Sequence, residues 1–313
     1  MTRVVGSGRA RALAAVAAFV AAFAAIGAVS KSTTTASGIT AATAVPYAPW
    51  YWTMAVSATD PNVVLVGTNN GVLRSSDGAK TWKPTGPQGV NTTSLVQAGN
   101  SIFMGGVPGP NPVIRKGAGR TAPDGSGVLA ESTDGGKTFK LLHPKGLPSV
   151  TVQALAADPA KSRTLYALLN DGRLYRSSDG ARSFQLVAKV GISPWALAVT
   201  QGGRLVGGDM DRGGFASTNG KSWQRTPFTD SNGGRMVMEY AVNPSNANEV
   251  LMTSVGIERS SDGGTTWHLA LKSKVMFGPV AWGPEKSKIA YAIGFDRSFW
   301  RSDDGGRTWR QVS

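Results

Sequence analysis

Short apolar runs alternate with turn residues along most of the chain, and their order repeats. One set of runs comprises Trp52–Ala58, Thr151–Ala157, Trp195–Thr200, Met236–Val242 and Pro279–Trp282. After four of these come Asp60-Pro61, Asp158-Pro159, Asn243-Pro244 and Gly283-Pro284, each a turn signal, followed by a second run: Val63–Val66, Thr164–Leu169, Val250–Thr253 and Ile289–Ile293. Runs this short, bounded by Pro, Gly and Asn, predict β-strands rather than helices, and no 3.6-residue periodicity competes with them. Asn70-Gly71 and Asp171-Gly172 predict tight turns from the second strand into a third.

A third strand and a fourth are predicted around a recurring string. It reads Ser75-SDGAKT-Trp82, Ser132-TDGGKT-Phe139, Ser177-SDGARS-Phe184, Ser217-TNGKS-Trp223, Ser260-SDGGTT-Trp267 and Ser302-DDGGRT-Trp309. The first serines lie 57, 45, 40, 43 and 42 residues apart. Hairpin physics accounts for the composition. Ser and Asp side chains bond to backbone groups that a turn removes from the ladder, and the glycines accept positive φ. The closing Trp or Phe is expected to plug an apolar ring between strands three and four. Asp77, Asp134, Asp179, Asp262 and Asp304 therefore read as structural pins; the fourth copy has Asn219 and one residue fewer, so a different hairpin is expected there.

Units of about 40–45 residues with four strands each suit propeller blades, which bury their apolar faces only against neighbours. The expected architecture is all-β: a single six-bladed β-propeller over 49–313, with repeats at about 52–85, 86–142, 143–187, 188–226, 227–270 and 271–313. The last repeat ends as a fourth strand near Val312 and the first begins near Trp52, so the ring closes in phase, with Tyr47–Tyr51 available to the seam.

The amino terminus differs. Arg3, Arg9 and Arg11 precede an unbroken apolar stretch, 12–29, that ends at Ser30 and Lys31. A basic head, an apolar stretch and small residues at Ala28 and Ser30 predict a secretory signal peptide over 1–30 and an exported, extracellular or periplasmic protein. An uncleaved membrane anchor is the alternative, since 18 apolar residues reach the lower limit for a span. Residues 31–48, rich in Thr and Ala, read as a flexible linker.

Composition narrows the chemistry. The 313 residues include no Cys and only two His, His143 and His268, which excludes disulfides, Cys-ligated metals and thiol nucleophiles and disfavours a metal site. No cofactor or nucleotide loop is expected. A net charge of +14 favours a protein or an anionic or glycan envelope polymer as partner, while export fits poorly with nucleic acid.

The six strings resemble the Asp-box, or BNR, repeat, and residues 52–313 resemble the propellers that carry it. That superfamily includes sialidases, xyloglucan-cleaving glycosidases, sortilin-like receptors and photosystem assembly factors. The resemblance implies a fold, with the boxes on outer hairpins away from the usual sites; it does not imply one activity. A sialidase would need an arginine cluster, a Tyr nucleophile with a Glu partner and an Asp acid. The Arg-Ile-Pro signature of that group is missing, the nearest string being Val113-Ile114-Arg115-Lys116, and Glu239 and Tyr240 are strand neighbours that face opposite ways.

A glycosidase needs two carboxylates roughly 5–10 Å apart. Asp209, Asp211 and Asp296 occupy turns between second and third strands, on the face that rims the channel, and are the candidate acids; ordinary turn residues are the alternative. The 105–127 excursion, with four Pro and Arg115, Lys116 and Arg120, is long enough to be a functional flap over that face. Trp195, Arg235 and Arg297 lie near strand starts or upper turns, where an exposed indole beside arginines suits stacking or a protein hot spot, though Trp195 also suits a core position. The expected function is a non-catalytic binding or scaffolding propeller, with glycoside hydrolysis as the alternative.

Overall fold

The computed structural model describes residues 48, 50–108, 127–191, 195–209, 212–228 and 233–312. The N-terminal basic–apolar segment, nearly all of the linker, and the flap residues Arg115, Lys116 and Arg120 lie outside the described residues, as does Asp211. The described chain forms 24 strands, β1–β24 in order, in six four-stranded antiparallel sheets, and each sheet uses four consecutive strands. Blade one is typical: β1 (Tyr51–Val56), β2 (Val64–Thr68), β3 (Gly71–Ser75) and β4 (Lys83–Thr85).

The first strand of every sheet sits at the hub. These are β1, β5 (Val90–Ala98), β9 (Val152–Asp158), β13 (Ala196–Thr200), β17 (Glu239–Asn243) and β21 (Phe277–Trp282). Each neighbours the next, and β21 returns to β1, so the chain is a closed six-bladed β-propeller. Outer strands are short and exposed, as at β24 (Arg310–Gln311), which limits the open edge offered to other sheets. The β5 strand carried no clear signal in the sequence, because Asn91, Thr92, Thr93 and Ser94 dilute its apolar side.

The apolar core is divided into six clusters, each between two blades. Tyr291, Ile293 and Phe299 of blade six meet Met54, Val64 and Val66 of blade one. Five further clusters fill the other seams. The aromatic that closes each recurring string joins them, and here the structure corrects the expectation. It does not plug its own hairpin but reaches into the seam with the preceding blade. Trp82 of blade one packs edge-on against Phe299 of blade six, with ring centroids 5.8 Å apart. Trp223, Trp267 and Trp309 likewise join clusters that include residues of the blade before them.

The hairpin itself is a dense polar knot. In blade one, Ser75 Oγ donates to Asp77 Oδ1 at 2.8 Å, and the Lys80 and Thr81 amides donate to the same oxygen at 3.0 and 2.9 Å. The Thr81 hydroxyl donates to Oδ2. Asp134, Asp179, Asp262 and Asp304 repeat the arrangement with Thr138, Ser183, Thr266 and Thr308. In blade four, Asn219 Oδ1 accepts the Lys221 and Ser222 amides, and Ser217 Oγ accepts from Gly220, three residues on rather than four. The deleted residue thus tightens the turn without dissolving it.

Backbone conformation in the knot explains one variation. Gly136 has φ +78°, and a Cβ there would overlap Leu65 of blade one. Blades one and three place alanines at the matching site, Ala79 and Ala181, also at positive φ, and their methyls are buried in the seam clusters. Only the shape of the preceding blade decides which residue fits.

Hydrogen bonding controls the titration of these carboxyls. At Asp77 the Thr81 hydroxyl is the largest influence, and Asp77 is held at about 2. Around Asp134, Asp262 and Asp304 partial burial opposes ionisation, yet the hydroxyl and amide donors prevail and hold each at about 2. Asp179 is lowered further, first by the Ser183 hydroxyl. An unfolded Asp titrates near ~3.9. The folded state therefore binds protons more weakly, its advantage is full above that value, and it disappears as pH falls through about 2. Asp134→Asn is expected to lower the denaturation midpoint at pH 7 and to have little effect near pH 2, where the wild-type carboxyl is protonated too. An equal penalty at both pH values, measured by urea titration, contradicts this assignment.

Candidate functional site

Antiparallel order puts the start of each inner strand, the turns between second and third strands and the blade-to-blade connections on one face, called upper here. The boxes and the turns between first and second strands lie on the other. Four aromatic rings form a row on the upper face. Phe295 of blade six meets Trp50 edge-on at 6.2 Å, Trp50 stacks on Trp52 at 5.6 Å, and Trp52 stacks on Trp195 at 6.2 Å. Trp52 belongs to blade one and Trp195 to blade four, opposite positions in a six-membered ring, so the pair spans the channel mouth. Trp195 is 36 % exposed. The Trp52 indole N–H is buried and has no protein partner.

Sequence reasoning picked Trp195 but passed over Trp50, Trp52 and Phe295. Nothing local marks Trp52 as its partner, since the two meet only when the ring closes. At the seam, Ala48 packs with the blade one–blade six cluster and donates its amide to Tyr51 Oη at 3.2 Å. No added strand is found there among the described residues.

The candidate acids are engaged within their own turns. Asp209, at the end of the second strand of blade four, accepts the Arg212 amide at 3.0 Å and pairs with the Arg212 guanidinium at 2.9 Å. Asp296, in blade six, accepts the Ser298 amide at 3.0 Å and its hydroxyl at 2.5 Å. Neither lines the channel. The two are not brought into a shared cluster: each shapes a turn on a different blade. Arg297 follows Asp296 with φ +71°, and both are exposed. Arg235 is exposed before β17, its carbonyl beside Gly213 of blade four.

The hub holds a different carboxyl. Inner strands expose one edge, and its amides need acceptors. The Leu95 amide donates to Thr53 Oγ1 of blade one, and the Leu155 amide to Ser94 Oγ of blade two, both at 3.0 Å. Glu239 occupies the same place in blade five and receives the Val280 amide of blade six at 3.2 Å. Blade six has Pro279 at this position, which offers no side-chain acceptor. Glu239 reaches past it: the Met54 amide and the Thr53 hydroxyl of blade one also donate to the carboxyl, the hydroxyl at 2.7 Å. One side chain thus spans blades five, six and one. Burial pushes its pKa well above the ordinary carboxyl range, against the pull of the three donors.

Tyr240, the next residue, points away into the seam between blades four and five, where burial raises its phenol. Strand alternation thus separates the two groups that a Tyr–Glu nucleophile would join. Among the described residues there is no group of three or more His, Cys, Asp or Glu able to hold a metal.

No family model matches the chain, and no curated protein matches it. Solved structures do. One is YCF48 bound to D1 peptide, at 19 % identity and TM-score 0.50, with 86 % of this chain and 85 % of that chain covered. YCF48 from Cyanidioschyzon merolae is 17 % identical with TM-score 0.48, over 83 % of this chain and 84 % of that one. An ancestral GH74 enzyme is 16 % identical with TM-score 0.51; the match covers 84 % of this chain but spans only 38 % of that longer one. At such identity the likeness is one of fold, and what this chain shares with these structures is the β-propeller.

Proposed function

We propose that this protein is an exported, non-catalytic propeller that docks a protein or anionic polymer on its upper face. The observation that carries the reading is the row Phe295–Trp50–Trp52–Trp195, which ends in an exposed indole at the channel mouth. Rigid aromatic rings give large contact area at small entropic cost, and arginines beside them are the usual companions at interaction hot spots. Arg235 and Arg297 supply cations on this face, and Arg115, Lys116 and Arg120 add three in the adjoining 105–127 segment. The net charge of +14 speeds encounter with an anionic partner. YCF48, a propeller of like fold, has been captured with a peptide, so a peptide ligand is within the reach of this architecture. Export rests on the 1–30 segment, and the family reading on the six Ser-Asp strings.

Glycoside hydrolysis is the second reading, favoured by Asp209, Asp211 and Asp296 on upper turns and by the likeness to an ancestral GH74 enzyme. It ranks lower because Asp209 and Asp296 spend their oxygens on Arg212 and Ser298.

Peptides selected from a random library on the purified propeller are expected to bind at least tenfold more weakly to Trp195→Ala, and to weaken further with salt when Arg235→Ala is added. Asp209→Asn should leave their affinity unchanged. Turnover of a chromogenic glycoside panel that Asp209→Asn or Asp296→Asn abolishes would overturn the docking reading in favour of the second.

A further inference from the structure

This strongly basic protein is bored by an acidic channel. The cavity along the axis has a volume of ≈ 220 Å³, and its lining includes Asp158, Glu239 and Glu285 but no Lys, Arg or His among the described residues. Asp158 and Glu285 stand at the lower mouth, in turns between first and second strands. Glu239 stands near the upper end, beneath Trp52 and Trp195. Between them the wall is small and apolar, with Ala156, Ala198, Ala241 and Ala281 from four blades.

Each feature constrains an occupant. Carboxylates in a narrow, low-dielectric bore concentrate cations. The volume is below the ~300–1,000 Å³ of drug-sized sites, so the guest is small. A hard divalent ion wants six or more oxygen ligands, and at the upper end Glu239 is the one carboxylate, three of whose roughly four acceptor positions already receive Thr53, Val280 and Met54. One remaining acceptor beside two indole faces suits an ammonium group, which hydrogen-bonds to the carboxylate and is attracted by the rings. The buried Trp52 N–H, without a partner, asks for an acceptor oxygen on the same guest.

We infer that the channel is a binding site for a small protonated amino alcohol, its ammonium on Glu239 and its oxygen on the Trp52 indole N–H. The guest enters at the Asp158–Glu285 mouth, and the stacked indoles close the far end. This site goes beyond upper-face docking and does not depend on it, since no partner protein is needed to fill it.

The test is calorimetric titration of the full propeller with 3-aminopropanol, n-propylammonium, 1,3-propanediol and propionate, with the Trp52 indole N–H followed by NMR. Aminopropanol is expected to bind once per chain, to shift the Trp52 resonance and to exceed propylammonium severalfold, with diol and propionate silent. Glu239→Gln should weaken aminopropanol tenfold or more. Because that change also touches the seam, Trp52→Phe is the second variant: it keeps the ring stack, removes only the N–H, and should bring aminopropanol down to the level of propylammonium. Saturable binding of diol or propionate at the level of aminopropanol, equal binding of propylammonium by the wild type, or no saturable heat from aminopropanol would overturn the assignment.

Discussion

Everything in this molecule depends on apolar contact between neighbouring sheets. A four-stranded blade of about 45 residues buries too little alone, and each of the six clusters draws side chains from two blades. The aromatic at the end of each Ser-Asp string is the piece that couples hairpin to seam. Its position is fixed by the polar knot on one side, and its ring lies in the preceding blade on the other. Truncating such a buried ring costs about 3–5 kcal/mol in typical cores. The knot and the seam are therefore one device: the carboxylate orders the turn, and the turn aims the ring.

Ring closure also builds the hub. Glu239 makes sense only against its neighbours, because Pro279 leaves blade six without the side-chain acceptor that Thr53 and Ser94 provide in blades one and two. A longer acid one blade earlier covers two amides instead of one. On the axis above it, Trp52 and Trp195 meet from opposite blades. Cationic outer faces and an anionic bore separate the two kinds of guest this protein is suited to, one large and acidic, the other small and basic.

Much of the fold was legible because it repeats. The Ser-x-Asp-Gly strings, the Pro turns and the apolar runs carry the same message six times, and a hairpin is a local object. The direction of Trp82 was not legible, since a ring that closes a hairpin in sequence gives no sign of lying in the previous blade. The site was harder still. Asp209 and Asp296 drew notice as acids in turns, yet turn-forming is what their carboxylates do. Glu239 was weighed only beside Tyr240, and strand alternation sends those two apart. Trp52 read as the first residue of a strand, and its contact with Trp195 crosses the whole ring.

The most direct measurement of the central claim is a double-mutant cycle across the seam, with Trp82→Ala, Phe299→Ala and the pair compared by urea denaturation. Their rings touch at 5.8 Å although they belong to the first and last blades. Edge-to-face pairs contribute about 0.5–1.5 kcal/mol beyond their burial, so a coupling of that size is predicted, with each single change strongly destabilising. Strictly additive penalties, or a Trp82→Ala variant as stable as the wild type, would contradict a propeller closed by its box aromatics.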